Sequence, residues 1–241
     1  MRRMTEAVVV ILLAGSVMTG CTAGKKDIPG GILGAGEKTL AAAIGFDAAV
    51  AEEFRRYVSD IRQLDVPDPE TGRNKKADGL SGSADSGQAP ERVRRLNAVL
   101  VPRGYRAFLQ VMNFGVDKKS DLIAVVRTRD QFSPLRLCGT AGVSQGIDTG
   151  EIIEKLQAWH DRFGIQMIGA GPEWVQFDFV RQPADMMDFA REVAAFCPAV
   201  VEPENGTVEA LAEEMAWKNT VYLWWEGTAA ETENESEENE R

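Results

Sequence analysis

In the second half of the chain, short segments rich in β-branched and aromatic residues predict strands. The clearest is TVYLWWE (Thr220–Glu226), which predicts a buried closing strand before a polar terminus. Ile165–Ala170 and Trp174–Val180 flank a glycine-proline turn and predict two more strands. Tyr105–Met112 and Leu122–Thr128 are joined by a short polar loop, so they predict a hairpin.

Apolar residues three and four positions apart predict helices between these strands. In Asp148–Phe163, a capping box begins at Asp148, an apolar stripe follows, and Gly164 supplies the stop. Pro183 opens a second helix, and Thr207 caps a third that ends just before the closing strand.

The first half of the chain has a different character. Residues 37–65 carry a helical stripe with a break at Gly45-Phe46-Asp47, which predicts a pair of short N-terminal helices. Residues 66–95 are rich in glycine, proline and serine, so we predict a disordered insertion there.

From Leu122 onward, the predicted order is strand, helix, strand, strand, helix, helix, strand. This order is typical of an α+β fold built from split βαβ units. We therefore predict a ferredoxin-like two-layer sandwich over residues 96–226, with helices on one face of the sheet and the N-terminal helices added to it.

Alternation along the strands also predicts a candidate interaction patch. Trp174, Tyr222 and Trp224 share one face of their strands, opposite the face that carries Trp225. In a two-layer fold that face is open, and an aromatic patch there would mark a binding surface. The alternative is that the N-terminal helices cover it as core.

The N-terminus predicts an export signal. Arg2 and Arg3 precede an apolar run that is too short to span a bilayer, and small residues lead to Cys21. The order resembles a bacterial lipobox, which implies a signal peptide over 1–20, lipidation of Cys21, and a flexible tether over 21–36. By the same analogy, Thr22 favours the outer membrane in a diderm cell. An ordinary secretory signal is the alternative.

Charge narrows the range of partners. The chain has 241 residues and a net charge of −10, from 37 acidic against 27 basic residues, which disfavours nucleic acid as a partner. Residues 227–241 are strongly acidic and predict a disordered tail. We expect the membrane, through the anchor, and an unidentified protein as partners.

Candidate chemistry is sparse. His160 is the only histidine and lies at the edge of its helical stripe, so we predict a rim position. Cys138 and Cys197 could form a disulfide in an exported protein, although two unlinked thiols are favoured. The glutamates near Thr207 lack the spacing of calcium ligands. We therefore assign no catalytic residue, metal or cofactor.

Several segments resemble the bacterial family known as domain of unknown function 4253. The resemblance covers Tyr105 to Glu226 and is carried by LIAVVRT, RLCGTAG, the Phe196-Cys197-Pro198 corner and the LWW ending. It implies acids after Gly-Thr, after Cys-Pro and after the paired tryptophans. The chain has Ala141, Ala199 and Glu226 at these positions, and the family implies no activity.

These observations predict a lipid-anchored cell-envelope protein that acts as a binding or interaction module. An immunity-type protein that neutralises a toxin is the alternative, and an enzyme is the least favoured reading because no site is legible.

Overall fold

The computed structural model describes residues 31–68, 71, 73–116, 119–201 and 206–225. The predicted signal peptide, the lipidation site Cys21, most of the tether and the acidic tail lie outside the described residues. In the described part of the chain, no helix has the length and apolar character needed to cross a membrane.

The described ranges contain seven α-helices and seven strands. The helices are α1 (Ala35–Ala43), α2 (Ala48–Arg55), α3 (Ala89–Leu100), α4 (Ser133–Cys138), α5 (Thr149–Phe163), α6 (Met186–Phe196) and α7 (Val208–Lys218). The strands are β1 (Ser59–Pro67), β2 (Asn74–Ala84), β3 (Tyr105–Val111), β4 (Asp121–Arg127), β5 (Ile165–Ala170), β6 (Trp174–Phe179) and β7 (Thr220–Trp224).

The strands form one open mixed sheet in the order β1-β2-β4-β3-β5-β6-β7. Neighbouring strands are antiparallel except β3 and β5, which run parallel. The sheet therefore consists of two antiparallel units that meet at one parallel pair in its middle.

Helices pack on both faces of the sheet. Helices α4 to α7 bury one face around residues such as Trp159, Phe177 and Trp225. Helices α1 to α3 bury the other face around Phe54 and Leu96. The predicted combination of helices with a sheet is confirmed. The ferredoxin-like two-layer sandwich with helices on one face is not, because the N-terminal helices form a third layer.

The prediction for residues 37–65 is correct for the helices and wrong after them. Gly45 has a positive φ of 63° at the predicted break, and Asp47 caps α2 by accepting from two backbone N–H groups. Ser59–Pro67 is a strand, not helix, because its buried residues Leu64 and Val66 alternate at a period of two.

The prediction of disorder over residues 66–95 is wrong for β2 and the start of α3. The small residues of β2 allow close approach to its neighbours: a Cβ on Gly82 would lie 2.5 Å from Val58 Cγ2. Ser81 is buried and donates to Gln110 Oε1 at 3.0 Å. Glycine and serine are therefore packing residues in this strand.

The remaining predicted elements are present, but α6 begins at Met186 with Asp185 as its N-cap, not at Pro183. Tyr105–Val111 and Asp121–Arg127 pair as the expected hairpin, and β5, β6 and β7 form as predicted. Asp148 and Glu151 make the reciprocal capping box of α5, at 2.9 and 2.8 Å. Helix α4 is an element that the sequence pattern did not indicate.

Candidate functional site

Four aromatic side chains meet at the end of the sheet where β3 and β5 finish. We call Phe114, Trp174, Tyr222 and Trp224 the aromatic cluster. The Tyr222 ring lies 5.7 Å from Trp174, 5.6 Å from Trp224 and 6.0 Å from Phe114, measured between ring centroids. Tyr222 thus contacts both of the other predicted patch residues, and the role of the three in binding stays a prediction.

Antiparallel pairing of β6 and β7 brings the cluster together. Trp174 pairs with Trp224, and the intervening residues Val175 and Leu223 point to the opposite, buried face. The Trp174 indole lies directly on the backbone of the turn that follows β5, since a Cβ on Gly171 would be 2.0 Å from its Nε1. Only glycine leaves room for the indole there.

In the aromatic cluster, Tyr222 at the centre is largely buried and Phe114 at the edge is exposed. Burial raises the pKa of Tyr222 to about 12. Phe114 is 61% exposed and has a φ of 50°, a left-handed conformation that is uncommon for a bulky residue. The hairpin loop therefore presents an apolar ring to solvent at a position where the backbone is strained.

A second feature lies at the opposite ends of the same strands, where the sheet opens. Between β3 and β5, the only ladder pair is Leu109 with Gly169. Nearer the start of the strands, side chains bind the backbone instead: Asn97 bonds both the N–H and the carbonyl of Ala107, at 2.8 and 2.9 Å. The two strands are held apart, and a cleft of about 620 Å³ forms there.

His160 and Gln131 hold the β5 side of this cleft. His160 Nδ1 lies 3.1 Å from the backbone nitrogen of Ile165 and 3.1 Å from Gln131 Nε2. Nδ1 also lies 3.0 Å from the Ile165 carbonyl oxygen. It accepts from the two nitrogens when the ring proton is on Nε2, and it donates to this carbonyl when the proton is on Nδ1. His160 is half-buried at the cleft wall, as its rim position predicted, and its contacts show a structural use of the ring.

Three arginines line the cleft and differ in their partners. Arg94 makes a bidentate ion pair with Asp178, at 2.6 and 3.1 Å, which raises the pKa of its guanidinium. Arg106 has a buried Nε without a hydrogen-bond partner among the described residues, and burial lowers its pKa. Arg129 is exposed at the rim.

Cys138 and Cys197 are not joined by a disulfide. The Cys138 thiol donates to the Ala170 carbonyl, and the Cys197 thiol donates to the Trp224 carbonyl, at 3.4 and 2.9 Å. Burial raises the pKa of Cys138 to about 12, so its thiolate form is disfavoured at neutral pH.

The segments that carry the family resemblance converge on Trp225. A Cβ on Gly142 would lie 2.6 Å from this indole, and the Phe196 ring meets it edge-on at 6.0 Å. Ala141 and Ala199 flank these contacts at positions where the resemblance implies acids. Neither alanine can supply a carboxylate there.

The fold and these motifs place the chain among α+β proteins with an open mixed sheet. Residues 122–226 match the family model described as Domain of unknown function (DUF4253), so this segment belongs to that family. Neither the curated proteins nor the solved structures provide a match.

Sequence reasoning missed the arginines of the cleft and Phe114. A signal for Arg106 was present, since it shares the parity of Phe108 in β3 and so points to the core side of the strand. Arg94 and Arg129 belong to other segments and gave no comparable signal. Phe114 is an isolated aromatic residue in a polar loop.

Proposed function

We propose that the protein is a binding module of the bacterial cell envelope, held on the membrane by lipid on Cys21, and that it engages a partner protein through the aromatic cluster. One observation carries this proposal. The cluster lies on the part of the sheet face that α1 to α3 leave uncovered, and its Phe114 ring is 61% exposed.

The packing of the N-terminal helices supports this reading. Their core contains Leu80, Ile123, Leu109 and Ile168, which belong to strands β2 to β5. From β6 and β7, only Trp174 contacts that core. The alternative that these helices bury the whole face therefore applies to β2 to β5 and to the Asp178 end of β6, where Arg94 of α3 binds Asp178. It leaves Trp174, Tyr222 and Trp224, at the other end of β6 and β7, only partly buried.

The properties of the cluster suit protein recognition. Aromatic residues are enriched at the energetic centres of interfaces because large rigid rings bury much apolar area with little loss of side-chain entropy. The strained backbone at Phe114 adds to this, since strain of about 1–3 kcal/mol persists where it supports function.

Site-specific photo-crosslinking in intact cells tests the binding surface. A benzoylphenylalanine at position 114 is expected to capture one discrete partner. The matched control is position 217, because Trp217 is 79% exposed on α7, on the opposite side of the sheet. Trp224→Ala should weaken the adduct from position 114.

The identity of the captured protein decides between the two classes of module. A secreted toxin would support the immunity-type alternative, whereas a structural or transport protein of the envelope would support an adaptor. The proposed surface would be contradicted if the crosslinker captured the same proteins at positions 114 and 217, or if it captured none at position 114.

Anchoring is tested separately. Cys21→Ala is expected to abolish incorporation of labelled palmitate and to release the protein from the membrane fraction. Cys138→Ala is the control, since that thiol is buried in the folded domain and should not affect labelling. Equal labelling of the Cys21→Ala variant would refute the anchor.

A further inference from the structure

The cleft between β3 and β5 has the composition of a ligand site. Its wall contains equal numbers of polar and apolar residues, seven of each, from α3, β3, the segment after β4, the end of α5 and β5. Its volume of about 620 Å³ lies within the usual range for small-molecule sites. The main-chain groups of the opening are already bonded by Asn97, Gln131 and His160.

The charges of the wall are one-sided. Three arginines line the cleft, and no aspartate or glutamate is among its lining residues. Asp178 neutralises Arg94 from the adjacent strand β6. Asp130 attracts Arg106 through space, but its carboxylate is bonded by Arg136 at 2.5 Å. The wall is therefore cationic in a protein whose net charge is −10.

Arg106 is the residue that points to a ligand. Its Nε is buried, and no described residue accepts a hydrogen bond from it. This atom is shielded from the cleft, so a ligand would reach Arg106 through the terminal nitrogens of its guanidinium, which are not among the buried unpaired atoms. The guanidinium has no ion-pair partner among the described residues, and a desolvated cation without one is unfavourable. Arg55 Nε, which also lacks a hydrogen bond, lies 3.3 Å from the Glu37 carboxylate and so has an ion-pair partner.

We propose that this cleft binds a small organic oxyanion, a carboxylate or a phosphate monoester on an apolar body, and that Arg106 pairs with the anionic group. A planar guanidinium matches both oxyanions in geometry and charge. The apolar half of the wall, which includes Val101, Ile165 and Ile168, receives the body of the ligand. This site is separate from the aromatic cluster and does not depend on its function.

Isothermal titration calorimetry of the full chain tests the site with three probes that share one ring. Phenyl phosphate and benzoate supply the two oxyanions, and benzyl alcohol is the neutral control. Both anions are expected to bind, and the alcohol to bind at least about 10-fold more weakly. Whichever anion binds more tightly identifies the source of the oxyanion.

Two arginine variants make the test specific. Arg106→Met keeps the side-chain stem and should weaken the better anion by about 10- to 100-fold, whereas Arg106→Lys should retain part of the affinity. Arg95→Met is the matched control, because Arg95 is exposed on α3, pairs with Glu91 and does not line the cleft. Its affinity should equal that of the unmodified protein.

Nuclear magnetic resonance locates the bound probe independently of affinity. The side-chain amide signals of Asn97 and Gln131 should shift on titration of the better anion and stay unchanged in Arg106→Met. Circular dichroism of Arg106→Met, matching that of the unmodified protein, excludes unfolding as the cause. Three results would overturn the proposal. They are no detectable binding of either anion at a probe concentration of about 10 mM, equal affinity for benzyl alcohol, and an affinity that Arg106→Met leaves unchanged.

Discussion

Cationic side chains gather at two places beside helix α5. At one place they surround a carboxylate of the protein, and at the other they do not. On one side, Glu192 of α6 accepts from Lys155 Nζ, Trp159 Nε1 and Arg162 Nη1, at 2.9, 2.8 and 2.6 Å. On the other side, the cleft beside His160 has three arginines, and no described residue accepts a hydrogen bond from the Nε of Arg106.

The charges around Glu192 stabilise the fold, whereas the arginines of the cleft are the charges that we propose bind a ligand. Burial opposes the charge of Glu192, but its donors outweigh that effect and lower its pKa to about 2. The chain supplies the central carboxylate in this group and omits one at Arg106. Substitutions in the first group should therefore change stability, and substitutions in the second should change binding.

The largest effect is expected from Glu192→Ala. It leaves the buried indole N–H of Trp159 and two cations without their acceptor, so the free energy of unfolding should fall by about 2 kcal/mol. Urea denaturation measures the loss. Glu154→Ala is the control, because Glu154 is exposed on α5, and it should stay within about 0.5 kcal/mol. Equal losses would show that the Glu192 group does not stabilise the fold.

Asp178→Asn should leave Arg94 with the exposed Glu91 carboxylate, at 3.6 Å, as its remaining ion-pair partner. Loss of the charged acceptor of Arg94 should lower the free energy of unfolding by about 1 kcal/mol and tighten the binding of benzoate. Asp188→Asn removes an exposed ion pair with Arg191 and serves as the control. Weaker benzoate binding in Asp178→Asn would argue against a cationic ligand site.

The pH dependence of stability sharpens the contrast further. The folded-state pKa of Glu192 is about 2, below its ordinary value of 4.5, so the stabilisation is present above pH 4.5 and is lost as the pH falls toward 2. Solvent screening reduces the effect to about 1 kcal/mol. The difference in unfolding free energy between the unmodified protein and Glu192→Gln should shrink from pH 7 to pH 3. A constant difference would contradict this.

The smallest effect, and the only gain, is expected from Arg106→Met. Removing a desolvated cation that has no acceptor should leave the stability of the ligand-free protein unchanged or raise it by about 0.5 kcal/mol. Thermal unfolding of the variant without and with benzoate measures the stability of the ligand-free and the ligand-bound protein separately. A loss above about 1 kcal/mol without ligand would mean that Arg106 already has a structural partner.

The sequence was informative where local signals and packing agree. The capping box of α5 and the alternation in β6 and β7 act over a few residues, and the structure has them as predicted. In β2 the same reasoning failed. Glycine and serine have low strand propensity and resemble a linker, but contacts with β1 and β4 select small residues at these positions.

The aromatic cluster could be predicted from local sequence signals, and the cleft could not. Three rings of the aromatic cluster lie on neighbouring strands, so period-2 alternation was enough to group Trp174, Tyr222 and Trp224. The cleft depends on separation of β3 from β5 and on arginines from different elements. Nothing local in the sequence encodes that separation.

The order of strands sets a limit on how the protein can be divided. The family match begins at residue 122, but β3 (Tyr105–Val111) lies between β4 and β5 in the sheet. A fragment of residues 122–226 would retain β4 without either of its neighbouring strands, because β2 and β3 both precede the match. The residues that match the family model are thus fewer than the residues that complete the sheet, and a dissection should keep the chain from α1 onward.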